Sequence, residues 1–189
     1  MQTVFQSYSD AEKFIETYEK ENAQSYTKWH MRNHGIDKLS SMEGHRIWWE
    51  DRRGAVPIDF DGVPFVCVQS EVRQCHQGKD KRKRKEEIVG DHVYGSSRRR
   101  IQATKKMNCQ ASIRMKMVVR FPEYKIDGHA SQWKKRIVSN KLREEFSAST
   151  QQDFRVYLKI QDNHEGHMVG EDNEITSGFQ WYSHIHSPF

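Results

Sequence analysis

No run of about 18 consecutive apolar residues occurs in this sequence, so a membrane-spanning helix of the usual kind is not expected. The N-terminus, Met1 to Phe14, has neither a basic n-region nor an apolar h-region, so a secretory signal is not expected and the chain reads as intracellular. Apolar residues are scarce as well, at 35%, below the usual globular range. Cysteine is scarcer still: Cys67, Cys75 and Cys109 are an odd number, too few for a disulfide framework. The length of 189 residues suits one ordinary domain with extensions better than two domains. What is present offsets part of this poverty. Five Trp, nine Phe and seven Tyr can each bury a large area, and ten His accompany the three Cys. A chain with a thin apolar supply gains more than most from a metal staple, and this residue set can provide one.

Charge is unevenly spread. From Arg73 to Lys106 there are twelve Lys/Arg and four Asp/Glu, a local net of +8, so the rest of the chain carries −3 of the total +5. Concentrated positive charge of this kind is the usual electrostatic footprint of a phosphate-binding surface.

Periodicity gives the elements. Ser9 and Glu12 have the spacing of a capping box, and Ala11, Phe14, Ile15 and Tyr18 recur at helical spacing, which predicts a helix from Asp10 to Asn22. Strands are expected at Tyr26–Met31, at His45–Asp51 and at Phe65–Cys75. Gly78 to Lys106 has few apolar anchors and reads as a loop. Cys109, Ala111, Ile113, Met115 and Met117 alternate with Gln110, Ser112, Arg114 and Lys116, a half-buried strand with a basic outer face that ends at Phe121-Pro122. Ser131–Phe146 is helical in pattern, and Phe154, Val156, Leu158 and Ile160 mark a last strand. Residues 170–189 show no periodicity and read as a loose tail. The expected fold is α+β: a small antiparallel sheet with a zinc site at its edge, flanked by the N-terminal helix and an inserted helix. Its organisation is a helix and strand extension over 1–44, the main domain over 45–168 with the basic loop 78–106, and a tail over 169–189.

Strand order gives the chemistry its geometry. Cys75 ends one strand, Cys109 begins the next, and His164 follows the third, so antiparallel pairing in sequence order puts all three at one edge. Gly166 allows the turn that brings His167 to face the same point. Two Cys and two His are a common structural zinc set. Spacing alone is loose, because Cys75 and Cys109 are 34 positions apart and His164 follows 55 positions later. Cys67 reads as a small core residue, His76 as the substitute ligand should His167 fail, and His184 with His186 as a rival pair. The basic candidates are Lys81, Arg82, Lys83, Arg84, Arg98, Arg99 and Arg100 in the loop, with Arg114 and Lys116 on the strand. Each can neutralise phosphates and release counterions, and a bare basic run also suits a nuclear-import tag.

Several short segments follow one another in a familiar order: Asp61 to Phe65 (DGVPF), Gln74 to Gly78 (QCHQG), Cys109 to Ile113 (CQASI), Val119 to Tyr124 (VRFPEY), and His164 with His167. Over residues 45–168 the chain resembles the DNA-binding region of the calcium-responsive transcription factor family. That region is similar to the WRKY and glial-cells-missing zinc-finger superfamily, with its far-red-impaired-response and transposase-derived domains. The resemblance implies zinc held by Cys75, Cys109, His164 and His167, and it selects Cys75 over Cys67. It further implies a strand laid in the DNA major groove, although no WRKY-like heptapeptide is present and the insertion at Gly78–Lys106 departs from the family.

The expectation is therefore a nuclear, sequence-specific DNA-binding transcription regulator with one structural zinc ion. Its partners would be double-stranded DNA, with import receptors and transcriptional co-regulators besides. Four protein ligands leave no open position for catalysis, so an enzyme is not expected. The alternatives are a zinc-stabilised protein-interaction module with an import loop and a transposase-derived DNA-binding fragment.

Overall fold

The computed structural model describes residues 1–33, 39, 41–80, 105–128, 130–147 and 149–168. Eight elements follow in chain order: β1 (Gln2–Phe5), α1 (Tyr8–Glu21), β2 (Tyr26–Asn33), β3 (Ile47–Trp48), β4 (Phe65–Cys75), β5 (Ser112–Arg120), α2 (Gln132–Glu145) and β6 (Asp153–Gln161). The six strands form one antiparallel sheet in the order β1-β6-β5-β4-β2, and β3 pairs with β4 beside that path. This is the expected α+β class. No helix among the described residues is long and apolar enough to cross a membrane.

Alternation on β5 decides which face is packed. Ile113, Met115, Met117 and Val119 point to one side, where they meet Val66 of β4 and Val156, Leu158 and Ile160 of β6. Helix α1 covers this side with Ala11 and Ile15, both fully buried, and Leu142 of α2 joins the same cluster. Burying each large aliphatic side chain of this kind stabilises the fold by about 1.5–3 kcal/mol.

The opposite face is half covered. The segment after β3 returns across it, with Asp51 and Ile58 exchanging backbone hydrogen bonds of 2.7 and 3.1 Å. Ile58 joins Phe65 and Val118 in a small second cluster with Trp48 and Tyr157 against it.

Three local expectations differ from the structure. The α1 cap is Ser7 and not Ser9: its Oγ accepts from the Asp10 amide at 3.1 Å and donates to the Asp10 carboxylate at 2.7 Å. The strand expected over His45–Asp51 contracts to Ile47–Trp48, because β4 pairs there only through Phe65 and Val66 before β2 takes over the same edge. Strand β5 begins at Ser112, three residues beyond Cys109, after a left-handed residue at Asn108 (φ +60°).

A polar assembly crosses the packed face. Glu71, with a fully buried side chain, accepts from Tyr8 Oη at 2.6 Å and from Arg73 Nε at 2.7 Å. Arg73 also pairs with Glu12 on α1, and Lys28 approaches Glu12 and Glu71 at 3.8 and 3.9 Å. Burial raises the Tyr8 hydroxyl pKa, as do its Glu12 and Glu71 neighbours. Burial would raise Glu12 too, but the bonds from Tyr8 and Arg73 outweigh it and hold that carboxyl below its ordinary value. Two carboxylates and two cations make the assembly neutral by itself.

Candidate metal centre

Cys75 is the last residue of β4, Cys109 lies just ahead of β5, and His164 and His167 follow β6. Because β4, β5 and β6 are antiparallel neighbours, these three positions in the chain fall at one end of the sheet. The ligand atoms of all four residues lie within 4.8 Å of one another, close enough to hold a metal ion. Cys75 Sγ is 3.4 Å from His167 Nε2, Cys109 Sγ is 3.6 Å from His164 Nδ1, and the two facing histidine nitrogens are 3.2 Å apart. Gly166 takes φ +80°, the left-handed turn that returns His167 toward His164.

The surroundings orient the donors inward. His164 Nε2 lies 3.1 Å from Asp162 Oδ1 and 3.2 Å from Tyr26 Oη. Gln24 braces both: its amide donates to Asp162 at 3.1 Å, and its carbonyl accepts from Tyr26 at 2.8 Å. With acceptors at Nε2, the proton belongs there, and the Nδ1 lone pair faces Cys109. His167 is the mirror case: Nδ1 lies 3.0 Å from the Met168 carbonyl, which leaves Nε2 for the cluster. Each sulfur accepts a backbone N–H from two residues on, Gln77 to Cys75 at 3.4 Å and Ala111 to Cys109 at 3.5 Å.

Electrostatics divide the two thiols. Burial pushes Cys75 up to about 11, against the Gln77 amide and with the neighbouring Cys109 sulfur. Burial raises Cys109 as well, but donors at Ala111 and Glu165, with His167 and Cys75, outweigh it and hold this thiol below its ordinary value. Burial also lowers His164 and so favours the neutral ring, the form that can ligate; Asp162 opposes this and His167 adds to it.

The other sequence candidates fall elsewhere. Cys67 is half-buried on the opposite face and outside the cluster, with its Sγ 3.6 Å from the Gln69 carbonyl. His76 is exposed and not among the converging four. Lys81, Arg82, Lys83, Arg84, Arg98, Arg99, Arg100, His184 and His186 lie outside the described residues. Arg114 and Lys116 do share the outward side of β5, but Lys116 is paired with Asp51 under the returning segment. Sequence reasoning missed Tyr26, Gln24 and Asp162. Only Asp162 carried a signal, as a carboxylate two residues before a candidate ligand.

The chain matches the family model of ALS2CR8, described as "Amyotrophic lateral sclerosis 2 chromosomal region candidate gene 8", over residues 38–182, and it belongs to that family. No curated protein and no solved structure matches it. The match corrects the resemblance drawn from the short segments, because the family is ALS2CR8 and not a calcium-responsive transcription factor, WRKY or glial-cells-missing DNA-binding family. Those segments have local explanations. Asp61 caps the Val63 amide at 3.1 Å ahead of β4, and Gly62 takes φ +83°. Pro122–Tyr124 forms a 3-10 turn, and Ala111 and Ile113 are the packed side of the chain at the start of β5.

Proposed function

We propose that this protein is a DNA-binding domain whose fold is stapled by one zinc ion on Cys75, Cys109, His164 and His167. Zinc is favoured over other metals by the donor set and by the shape it makes. A tetrahedron with metal–ligand bonds of about 2.0–2.3 Å has edges of about 3.3–3.8 Å. The nitrogen–sulfur separations of 3.4 and 3.6 Å and the nitrogen–nitrogen separation of 3.2 Å sit close to those edges. Two thiolates and two neutral imidazoles also balance a divalent charge, and a full protein ligand set leaves no position for a reactive water. The role is structural.

One observation carries the link to DNA: the metal centre sits at the neck of the basic segment. The Gln77 carbonyl accepts from the Met107 and Cys109 amides at 2.8 and 3.3 Å, so backbone bonds join both ends of that segment beside Cys75 and Cys109. Residues 78–106, beyond this neck, hold eleven Lys/Arg and four Asp/Glu, a net of +7. A metal that fixes the neck fixes where this charge is presented. The same lysines and arginines suit nuclear import, and a nuclear transcription regulator is the role we assign.

A second reading, a protein-interaction module, has its own observation. Trp133 and Ile137, one turn apart on α2, are 72% and 44% exposed.

Salt-dependent binding to duplex DNA separates the two. With zinc bound, the affinity should fall steeply with salt, and Arg98→Ala, Arg99→Ala and Arg100→Ala together should weaken it and flatten that dependence. Unchanged DNA affinity in that triple variant would overturn the DNA reading. Native mass spectrometry should find one zinc per chain and none after Cys75→Ser; an intact protein without zinc would overturn the staple.

A further inference from the structure

The register of the sheet assembles a surface that no local sequence pattern shows, because its residues come from five strands. On the face away from α1, one row runs His30, Val72, Arg114, Lys159, Gln2 across β2, β4, β5, β6 and β1. The next row, toward the metal centre, runs Thr27, Gln74, Ser112, Gln161. Arg32 stands beside His30 on the same side of β2, opposite Ser70. These positions contain no carboxylate. Farther along the same face the charges are neutralised: Lys116 by Asp51, Arg120 by Asp61, and Arg155 by Asp153. Among the described residues, Arg32, Arg114 and Lys159 have no carboxylate within ion-pair reach.

The same end of the face holds polar atoms without partners. Gln74 Oε1, Ser112 Oγ and Arg114 Nε make no hydrogen bond among the described residues, and Ser112 is only 4% exposed. Buried polar groups are rarely left this way, so three together on one cationic surface suggest a ligand that donates and accepts there. This end adjoins the neck of the basic segment, since Gln74 packs on Gly78, where a Cβ would come within 3.4 Å of its Oε1.

We propose that His30, Arg32, Arg114 and Lys159 form a rigid phosphate-contacting platform for duplex DNA at this end of the sheet face. The proposal rests on the DNA reading above and gives it a fixed surface beside the basic segment. Spacing favours a duplex over a single strand. His30 and Lys159 are three strand intervals apart, about 14 Å at roughly 4.8 Å each. That span is close to the major-groove width of about 12 Å, so the row can reach phosphates on both rails. Such contacts position the protein and carry no sequence information themselves.

The test uses the full chain with zinc and a mixed-sequence duplex of about 20 base pairs, titrated across a range of salt. One variant combines Arg114→Gln with Lys159→Gln, and a second combines His30→Gln with Arg32→Gln on the exposed edge strand. Zinc content and circular dichroism establish that each is folded. Each pair should weaken binding about tenfold or more, and the slope of log affinity against log salt should shrink by roughly 0.9 for each phosphate no longer neutralised. Should Arg114→Gln with Lys159→Gln prevent folding, the edge-strand pair decides. Wild-type binding by the folded variants, with a deficit only in the Arg98–Arg100 variant, overturns the platform and leaves the DNA reading standing. Wild-type binding by all three overturns both. Tighter binding to a single-stranded RNA of the same length also overturns the platform.

Discussion

Two polar assemblies lie on the packed side of the same sheet, and they solve the problem of burial in opposite ways. The Glu71 assembly is closed. Two carboxylates meet two cations and a tyrosine hydroxyl, and every strong bond in it ends on another side chain of the group. The metal corner is open in the electrostatic sense. Two sulfurs and two imidazole nitrogens point at a common centre, with outward nitrogens anchored by Asp162, Tyr26 and Met168. No cationic side chain is among the four. A self-neutralised group needs nothing from outside. A convergent donor set is arranged to take up an ion, with its two facing histidine nitrogens 3.2 Å apart.

The sharpest way to break this contrast is to remove the zinc ion proposed above. Chelation, or Cys109→Ser, should unfold or loosen the sheet end, because a structural zinc contributes about 10–16 kcal/mol of apparent binding free energy. That is comparable to the roughly 5–15 kcal/mol total stability of a domain. Thermal unfolding with and without chelator reads it, and an unchanged melting temperature would erase the distinction between the two assemblies.

Glu71→Ala should come next, at about 3–5 kcal/mol, since it leaves Arg73 buried without its main partner. The comparison predicts more. Replacing Glu71 and Arg73 together by Leu should recover most of the deficit, whereas no apolar pair at Cys75 and Cys109 should rescue the metal corner. Denaturant titration of the single and double variants decides this.

A smaller effect is expected at Asp162→Asn. The fold should persist while zinc affinity drops about 10–100-fold, measured by competition with a chromogenic chelator, because the carboxylate that orients His164 is removed.

The smallest concerns acid. Glu12 is held below its ordinary value of 4.5 when folded, so it stabilises the protein above that pH and less as pH falls from there through its folded value. Its side chain is 24% exposed, so the contribution should stay below about 1 kcal/mol. Glu12→Gln should therefore lose less stability than wild type as the pH falls below 4.5. A larger acid sensitivity in the variant would show that the closed assembly is not what Glu12 supports.

Much of this architecture was legible because period-two alternation is strong on β5 and β6, where Ile113–Val119 and Phe154–Ile160 keep strict faces. Knowing those strand ends was enough to bring Cys75, Cys109 and His164 together. β1 escaped because Gln2–Phe5 is four residues long, too short for a period to register. Lys116 was read as a phosphate contact from its place on an outward face; its neutralisation depends on Asp51, 65 residues away in sequence. Glu71 and Arg73 gave no sign of pairing in the sequence, because their partners Tyr8 and Glu12 come from α1, 63 and 61 residues earlier. Tyr26 and Gln24 act on a histidine 138 and 140 residues downstream, a separation that no local pattern encodes.

The neck formed by Gln77, Met107 and Cys109 also divides the protein for purposes of change. The sheet closes beneath it through the backbone bonds from Met107 and Cys109 to Gln77. Closing a longer loop adds only about 0.6 kcal/mol for each doubling of its length. A change of length between these two anchor points should therefore cost the fold little.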